Sequence, residues 1–242
     1  MVDHLIDLRD RVGLALSANR YHDVISIYKN YLETFDDIPP MDRQMLYIAY
    51  SKLILDYNFK SYWKLTSIEL KEKIEFDYLE LIENEIDYFC NDIVELIDDY
   101  FLASKLNQDL DTIITLRQRA DFLYFNSSIA RPATKQILLQ SALRSYTEGR
   151  FEMISIWKRK LRNLGVERSC LTLPINEPER VLIQLRKCAC EVQLSNGKCT
   201  SETYFELVHA IEEMKSSNLS TDNSLIVQME SYRLELEKLR CK

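Results

Sequence analysis

The sequence predicts an all-α protein of about nine antiparallel helices, and three observations support this. The 242 residues include only four glycines and five prolines, well below ordinary usage, so few tight turns are expected. Apolar residues recur at three- and four-residue spacing along most of the chain, as in amphipathic helices. No segment shows the alternating β-branched pattern of a strand.

The first half of the chain predicts four helices. The first apolar stripe consists of Leu5, Leu8, Val12, Ala15 and Leu16, and the second of Val24, Ile27, Tyr28 and Tyr31. Residues 36–40, Asp-Asp-Ile-Pro-Pro, end this hairpin, because proline lacks an N–H and restrains the residue before it. A long helix is expected from about Met41 to the low seventies, and another from the mid-seventies to about Ser104.

The second half predicts five more helices. Residues 107–109 are predicted to separate two helices, and Pro132 suits the first turn of a further helix. The stretch from Trp157 to Asn176 is expected to be irregular. The helices are predicted over about 109–129, from 132, over 178–194, over 203–214 and from 222 onward.

Composition excludes several classes of protein. The formal net charge of −7 argues against a duplex nucleic-acid binder, which needs a basic face. No stretch approaches the ~20 apolar residues of a membrane span, and residues 1–11 lack the apolar region of a secretion signal. The six cysteines form no Cys-x-x-Cys pair, which favours reduced thiols and a cytoplasmic protein.

No residue pattern predicts catalysis or a cofactor. The chain has no glycine-rich phosphate loop or nucleophile elbow. His209 with Glu212 and Glu213 has a spacing that could suit a metal, but no second motif completes a coordination shell, and an exposed ion-pair face is favoured. The sequence therefore predicts neither an enzyme nor a metal site.

Four motifs carry a resemblance to a known family. They are Arg-Tyr-His-Asp at 20–23, Arg-Gln-Met-Leu-Tyr-Ile-Ala-Tyr at 43–50, Ile-Asp-Tyr-Phe-Cys-Asn-Asp-Ile at 86–93 and Asp-Asn-Ser-Leu-Ile-Val-Gln-Met at 222–229. In order and spacing they resemble helix signatures of the 14-3-3 adaptor family. The resemblance implies one cupped domain over 1–242 with an amphipathic groove. Two departures are a short connection after Trp63 and extra residues over about 150–176.

The resemblance also implies how the domain is divided. The helices over about 3–104 would form the dimerisation half, and those over about 109–240 the groove half. The implied dimer contacts are Leu14, Ala15, Arg20, Asp23, Tyr78 and Glu85. An Arg20–Glu85 pair would link the subunits, although Leu81 stands where the family has a charged partner for Asp23. An exposed ion pair contributes little, so apolar contacts should carry the association.

The implied groove residues depart from the family pattern. They are Lys52, Lys60, Arg117, Tyr124, Leu185, Arg186, Ala189, Leu225, Met229 and Arg233. Ser51 stands at the first basic position with Lys52 beside it, and Tyr124 replaces an arginine. Each lost guanidinium forfeits a charge-assisted hydrogen bond of ~1.5–3 kcal/mol, or roughly tenfold to a hundredfold in affinity. Arg186 and Arg233 replace asparagines that hold the peptide backbone; they face either an anionic ligand or solvent, pairing there with Glu191 or Glu230.

Three functional hypotheses remain open. The first is a 14-3-3-like adaptor whose phosphoserine or phosphothreonine binding is weak, lost or retuned to other acidic ligands, with protein or peptide partners. The second is a structural subunit that pairs with a conventional paralogue and binds no ligand itself. The third, a helical-repeat protein, needs a 34-residue repeat that the sequence does not show.

Overall fold

The computed structural model describes residues 2–68, 73–107, 109–163, 178–198, 200–216, 227, 230–234 and 237–238. The first four helices are α1 (Val2–Ser17), α2 (Tyr21–Phe35), α3, which begins as Pro40–Ser51 and continues through Lys52–Phe59 and Lys60–Thr66, and α4, which begins as Lys73–Leu96 and continues through Ile97–Phe101. The next four are α5 (Asp109–Ser127), α6 (Pro132–Asn163), α7 (Pro178–Leu194) and α8 (Ser201–Ser216). Residues 230–234 are also helical, and these ranges contain no strand. The predicted all-α class of about nine helices is confirmed.

The chain divides into two compact units, which we call unit 1 (residues 1–108) and unit 2 (residues 109–242). Unit 1 contains α1 to α4, and unit 2 contains α5 to α8 with the helical residues 230–234. The boundary falls within the helix break predicted at residues 107–109. None of the helices that the structure describes is long and apolar enough to cross a membrane.

In unit 1 the amphipathic helices pack through their apolar faces. Neighbouring pairs are α1 with α2 and α2 with α3. The buried residues include Leu8, Val12, Val24, Tyr28, Leu32, Leu46 and Tyr50. The turns between the helices use left-handed backbone at Asn19 (φ 56°) and Asp36 (φ 57°), a conformation that asparagine and aspartate adopt more readily than most residues.

A buried arginine fixes the turn between α2 and α3. The Arg43 guanidinium is 1% exposed and donates to the Ile38 carbonyl at 2.9 Å and to Asp37 at 2.9 Å. It also bonds Ser104 at 2.6 Å and Asn107, just beyond the end of α4. Because a buried charge is tolerated only when it is paired and hydrogen-bonded, these contacts hold the α2–α3 turn against the end of α4.

Two helices change their winding along their length. The stretches Lys52–Phe59 of α3 and Ile97–Phe101 of α4 are π-helical, with bonds such as Leu102 N–H to the Ile97 carbonyl at 3.0 Å. In a π-helix the bond runs from residue i to i+5, and such stretches are uncommon. The wider turn brings side chains four and five residues apart onto one face.

In unit 2 the helices α5, α6 and α7 pack closely on one another. Gly149 of α6 faces both neighbours, since a Cβ there would lie in ordinary contact at 3.4 Å from Ile183 Cδ1 of α7 and 3.6 Å from Leu116 Cβ of α5. Cys188 and Cys190 of α7 are buried and free, as is Cys90 of α4; Cys170, Cys199 and Cys241 lie outside the described residues.

Two predicted helix boundaries are wrong. The stretch from Trp157 was expected to be irregular, but α6 continues to Asn163, since no glycine or proline interrupts residues 157–163. The helix from Met41 was expected to reach the low seventies, but α3 ends at Thr66. The Ser67 hydroxyl donates to the Lys64 carbonyl at 2.8 Å, a local bond that competes with helix continuation.

Candidate functional site

The two candidate lysines in unit 1 share one carboxylate. Lys52 Nζ lies 2.7 Å from Asp56 Oδ2, and Lys60 Nζ lies 3.3 Å from Asp56 Oδ1. The hydrogen bonds from Lys52 and Lys60 lower the pKa of Asp56. Their four-residue spacing along α3 places the three side chains on one face. Both lysines are exposed, so this pairing is screened by solvent and exchanges readily.

The candidate arginine of α5 lies in a half-buried ion cluster of unit 2. Arg117 Nη1 donates to Asp121 Oδ2 at 2.8 Å, Nε donates to Glu179 Oε2, and Nη2 lies 3.3 Å from Glu179 Oε1. Burial alone would lower the pKa of Arg117, but Asp121 and Glu179 more than offset this and raise it. The guanidinium is therefore permanently charged and already holds two anions.

Tyr124 and Arg186 lie beside this cluster. The Arg186 guanidinium carbon is 5.9 Å from the centre of the Tyr124 ring, within cation–π range, and Arg186 Nε is 3.8 Å from Asp121 Oδ1. The Tyr146 hydroxyl also donates to Asp121, at 2.5 Å. Asp121 thus contacts Arg117, Arg186 and Tyr146, and it gives Arg186 a carboxylate partner that the sequence did not predict.

Gln193 of α7 completes the surroundings of Tyr124. Its Nε2 donates to the Tyr124 hydroxyl oxygen at 2.7 Å, and burial raises the pKa of that phenol. Among the residues that the structure describes, the buried Oε1 of Gln193 has no hydrogen-bond partner. Tyr124 is therefore a neutral, hydrogen-bonded group.

The candidate apolar residues are only partly described. Leu185 is half-buried and Ala189 is buried within unit 2, so Ala189 offers little surface to a ligand. Leu225 and Met229 lie outside the described residues.

Arg233 is paired within its own helical turns. Its Nε lies 2.7 Å from Glu230 Oε2 and its Nη1 lies 2.9 Å from Glu237 Oε1. Glu237 also accepts from the Tyr204 hydroxyl of α8 at 2.5 Å. The expected Arg233–Glu230 pair is present, and it shares the arginine with a second carboxylate.

Sequence reasoning identified the cations and missed most of their partners. Asp56 and Asp121 lie four residues from a candidate cation, a spacing at which helical charges meet, so both could have been found. Glu179 lies 62 residues from Arg117, and no local spacing indicates that contact. The structure shows a carboxylate partner for each of the five candidate cations Lys52, Lys60, Arg117, Arg186 and Arg233.

Three of the six candidate dimer residues, Arg20, Asp23 and Glu85, line a cavity in unit 1. Leu14 is 71% exposed and Tyr78 is 54% exposed, whereas Ala15 is buried and adds little contact area. Arg20 pairs with Asp23 of the same chain at 2.6 Å. The cavity is about 820 Å³ in volume. Its lining includes Arg20, Asp23, Leu53, Leu81, Glu85 and Phe89.

Comparison with known proteins decides the family. Residues 11–164, more than half of the chain, match the family model described as 14-3-3 protein. The chain belongs to the 14-3-3 family. It is 25% identical over 233 residues to the 14-3-3 protein beta/alpha of Homo sapiens, a match that covers 92% of this chain and 88% of the relative. The corresponding proteins of Gallus gallus and Mus musculus match over the same shares at 25% and 24% identity.

Family membership assigns the chain a coarse role. Proteins of the 14-3-3 family bind other proteins as adaptors rather than catalysing reactions, so this 14-3-3 protein is a protein-binding adaptor. Within the described residues no group of three or more His, Cys, Asp or Glu side chains is placed to hold a metal ion.

Proposed function

We propose that this 14-3-3 protein is an adaptor whose ligand binding does not depend on phosphate. One observation carries the proposal. Every candidate groove cation already has a carboxylate within 4 Å in its own unit. A phosphate ligand would have to displace these anions before it gained its own contacts.

The charge balance of unit 2 supports this proposal. Arg117 and Arg186 share Asp121, and Arg117 also binds Glu179, so these two cations and two anions carry no net charge. Arg233 contacts two glutamates, so its cluster is negative by one. A dianionic phosphate is best held by several unpaired guanidinium groups. The cluster around Arg117 and Arg186 is neutral and the cluster around Arg233 is negative, so neither attracts a dianion.

The proposed ligand is a peptide segment that presents apolar side chains. Leu185 is partly exposed beside Arg186 and would offer such a segment an apolar contact. The proposed setting is the cytoplasm, since the described thiols of Cys90, Cys188 and Cys190 are free.

Dimerisation is the second part of the proposal. Leu14 is an exposed apolar residue on α1, and the cavity of unit 1 has apolar walls at Leu53, Leu81 and Phe89. A second copy, inserting Leu14 into this cavity, would bury apolar area on both subunits. The same surface would serve the alternative function, a structural subunit that pairs with a conventional 14-3-3 paralogue and binds no ligand.

Phosphatase treatment tests the proposed function. The tagged protein and a conventional 14-3-3 protein would each be incubated with cell extract before and after treatment. The conventional protein should lose its partners after treatment, and this protein should retain the same set. Loss of the retained set on treatment would contradict the proposal, and retention of a conventional 14-3-3 paralogue alone, with both extracts, would favour the structural-subunit alternative.

A further inference from the structure

We propose that Glu179 is a specificity-determining residue that keeps anionic ligands away from Arg117 by occupying its guanidinium. This inference rests on the proposed function, because it concerns the same binding surface. Under this proposal, phosphate binding is weakened by the carboxylate of Glu179 as well as by the basic residues that are missing at Ser51 and Tyr124.

The geometry of the contact uses the part of Arg117 that an anion would need. Nε and Nη2 form one edge of the guanidinium fork, and both contact the Glu179 carboxylate. Nη1 is taken by Asp121 at 2.8 Å. A carboxylate and a phosphate bind the same two-donor edge of an arginine, so Glu179 stands where a ligand oxygen pair would bind.

Burial makes this contact harder to displace than the others. The side chain of Arg117 is 14% exposed, compared with 40% for Arg186 and 31% for Arg233. Exposed ion pairs exchange readily with ions in solution, whereas a shielded pair is screened much less. Arg117 is therefore the cation whose pairing most affects ligand choice.

The position of Glu179 makes it the separable member of the cluster. It lies in the first turn of α7, where the helix dipole favours a negative side chain. Asp121 also contacts Tyr146 and Arg186, so changing it would disturb the packing of unit 2. Neutralising Glu179 leaves those contacts in place and gives the cluster one unit of positive charge.

The test compares Glu179→Gln with a matched control, Glu191→Gln. Glu191 lies on the same helix and pairs with Lys187 at 3.0 Å, so both variants lose the same charge from α7. Each protein would be titrated, by fluorescence anisotropy, into an arginine-rich phosphoserine peptide and its unphosphorylated twin. We expect Glu179→Gln to increase the preference for the phosphorylated peptide by about tenfold, and Glu191→Gln to leave it at the wild-type value.

The outcomes separate this inference from the proposed function. Equal preferences in Glu179→Gln, Glu191→Gln and wild type would overturn the role of Glu179 and leave phosphate-independent binding standing. A strong preference for the phosphorylated peptide in the wild type itself would overturn both. Circular dichroism checks the fold of each variant. Glu179→Ala, which leaves no group to bond Arg117, is measured alongside and should show the same gain; no gain in that folded variant would also overturn the inference.

Discussion

Arg117 in α5 binds both carboxylate oxygens of Glu179 at the start of α7, across 62 residues of sequence. The pair lies within unit 2 beside Asp121 and joins α5 to α7. In this pair Glu179 occupies the guanidinium of Arg117, a candidate ligand-binding cation. The contact therefore links the stability of this unit to its ligand preference.

Replacing Arg117 by methionine should destabilise the protein. The substitution leaves Asp121 and Glu179 partly buried without this partner, and unsatisfied groups of that kind cost about 1–3 kcal/mol. Urea denaturation would measure the free energy of unfolding of the variant and of Arg11→Met, whose arginine is exposed. If Arg117→Met unfolded at the same free energy as the Arg11 control, the cluster would have no structural role.

Replacing Arg43 by methionine should have a larger effect. Arg43 is fully buried and bonds Asp37, Ser104 and Asn107, and removing one partner of a buried ion pair costs about 3–5 kcal/mol. The same urea experiment would show this as a lower unfolding midpoint. An effect no greater than that of Arg11→Met would mean that Arg43 does not hold the α2–α3 turn.

Leu14 should control subunit association. A Leu14→Glu substitution places a charge where apolar contact is proposed, and the loss of ~1.5–3 kcal/mol in each of two copies should weaken the dimer at least about a hundredfold. Sedimentation velocity would show the mass falling from twice 28.6 kDa to 28.6 kDa. The control Ile137→Glu, on a similarly exposed residue of α6, should remain dimeric. A wild-type monomer would rule out the homodimer.

The buried cysteines predict a loss of stability at alkaline pH. Burial in the folded protein raises the pKa of Cys188 and of Cys190 from 9.0 to about 12. The unfolded chain therefore loses these protons first as the pH rises. The contribution of these two thiols to the free energy of unfolding is complete below pH 9.0 and is lost between pH 9.0 and about 12.

Urea unfolding across that pH range would measure the effect. The double variant Cys188→Ala, Cys190→Ala should show a smaller fall in the free energy of unfolding between pH 9.0 and about 12 than the wild type does. An unchanged slope would mean that other groups cause the alkaline loss.

The fold was largely predictable from local patterns. The stripes of α1 and α2 repeat at helical spacing, the two prolines at 39 and 40 end the first hairpin, and Pro132 marks a helix start. The number of helices and most of their boundaries followed from these signals. The π-helical winding of Lys52–Phe59 was not predictable, because hydrophobic periodicity indicates that a helix forms and not which turn closes it. The extension of α6 to Asn163 was missed because mixed charge, with Gly165 and Pro174 further along, favoured an irregular stretch from Trp157.

The candidate site was less predictable than the fold. The resemblance located Arg117, Arg186 and Arg233. The net charge around these arginines, however, depends on carboxylates that tertiary packing brings next to them. Asp121 could have been found from its four-residue spacing. Glu179 could not, because only the packing of α7 on α5 places it against Arg117.

The most direct test of the central claim is the affinity of the wild-type protein for a phosphoserine peptide and its unphosphorylated twin, measured by fluorescence anisotropy at low and high salt. Because the described cations are already paired, we predict equal affinities for the twins at both salt concentrations. Tighter binding of the phosphorylated peptide that weakens with salt would contradict the claim, since it would show that the paired cations release their carboxylates for phosphate.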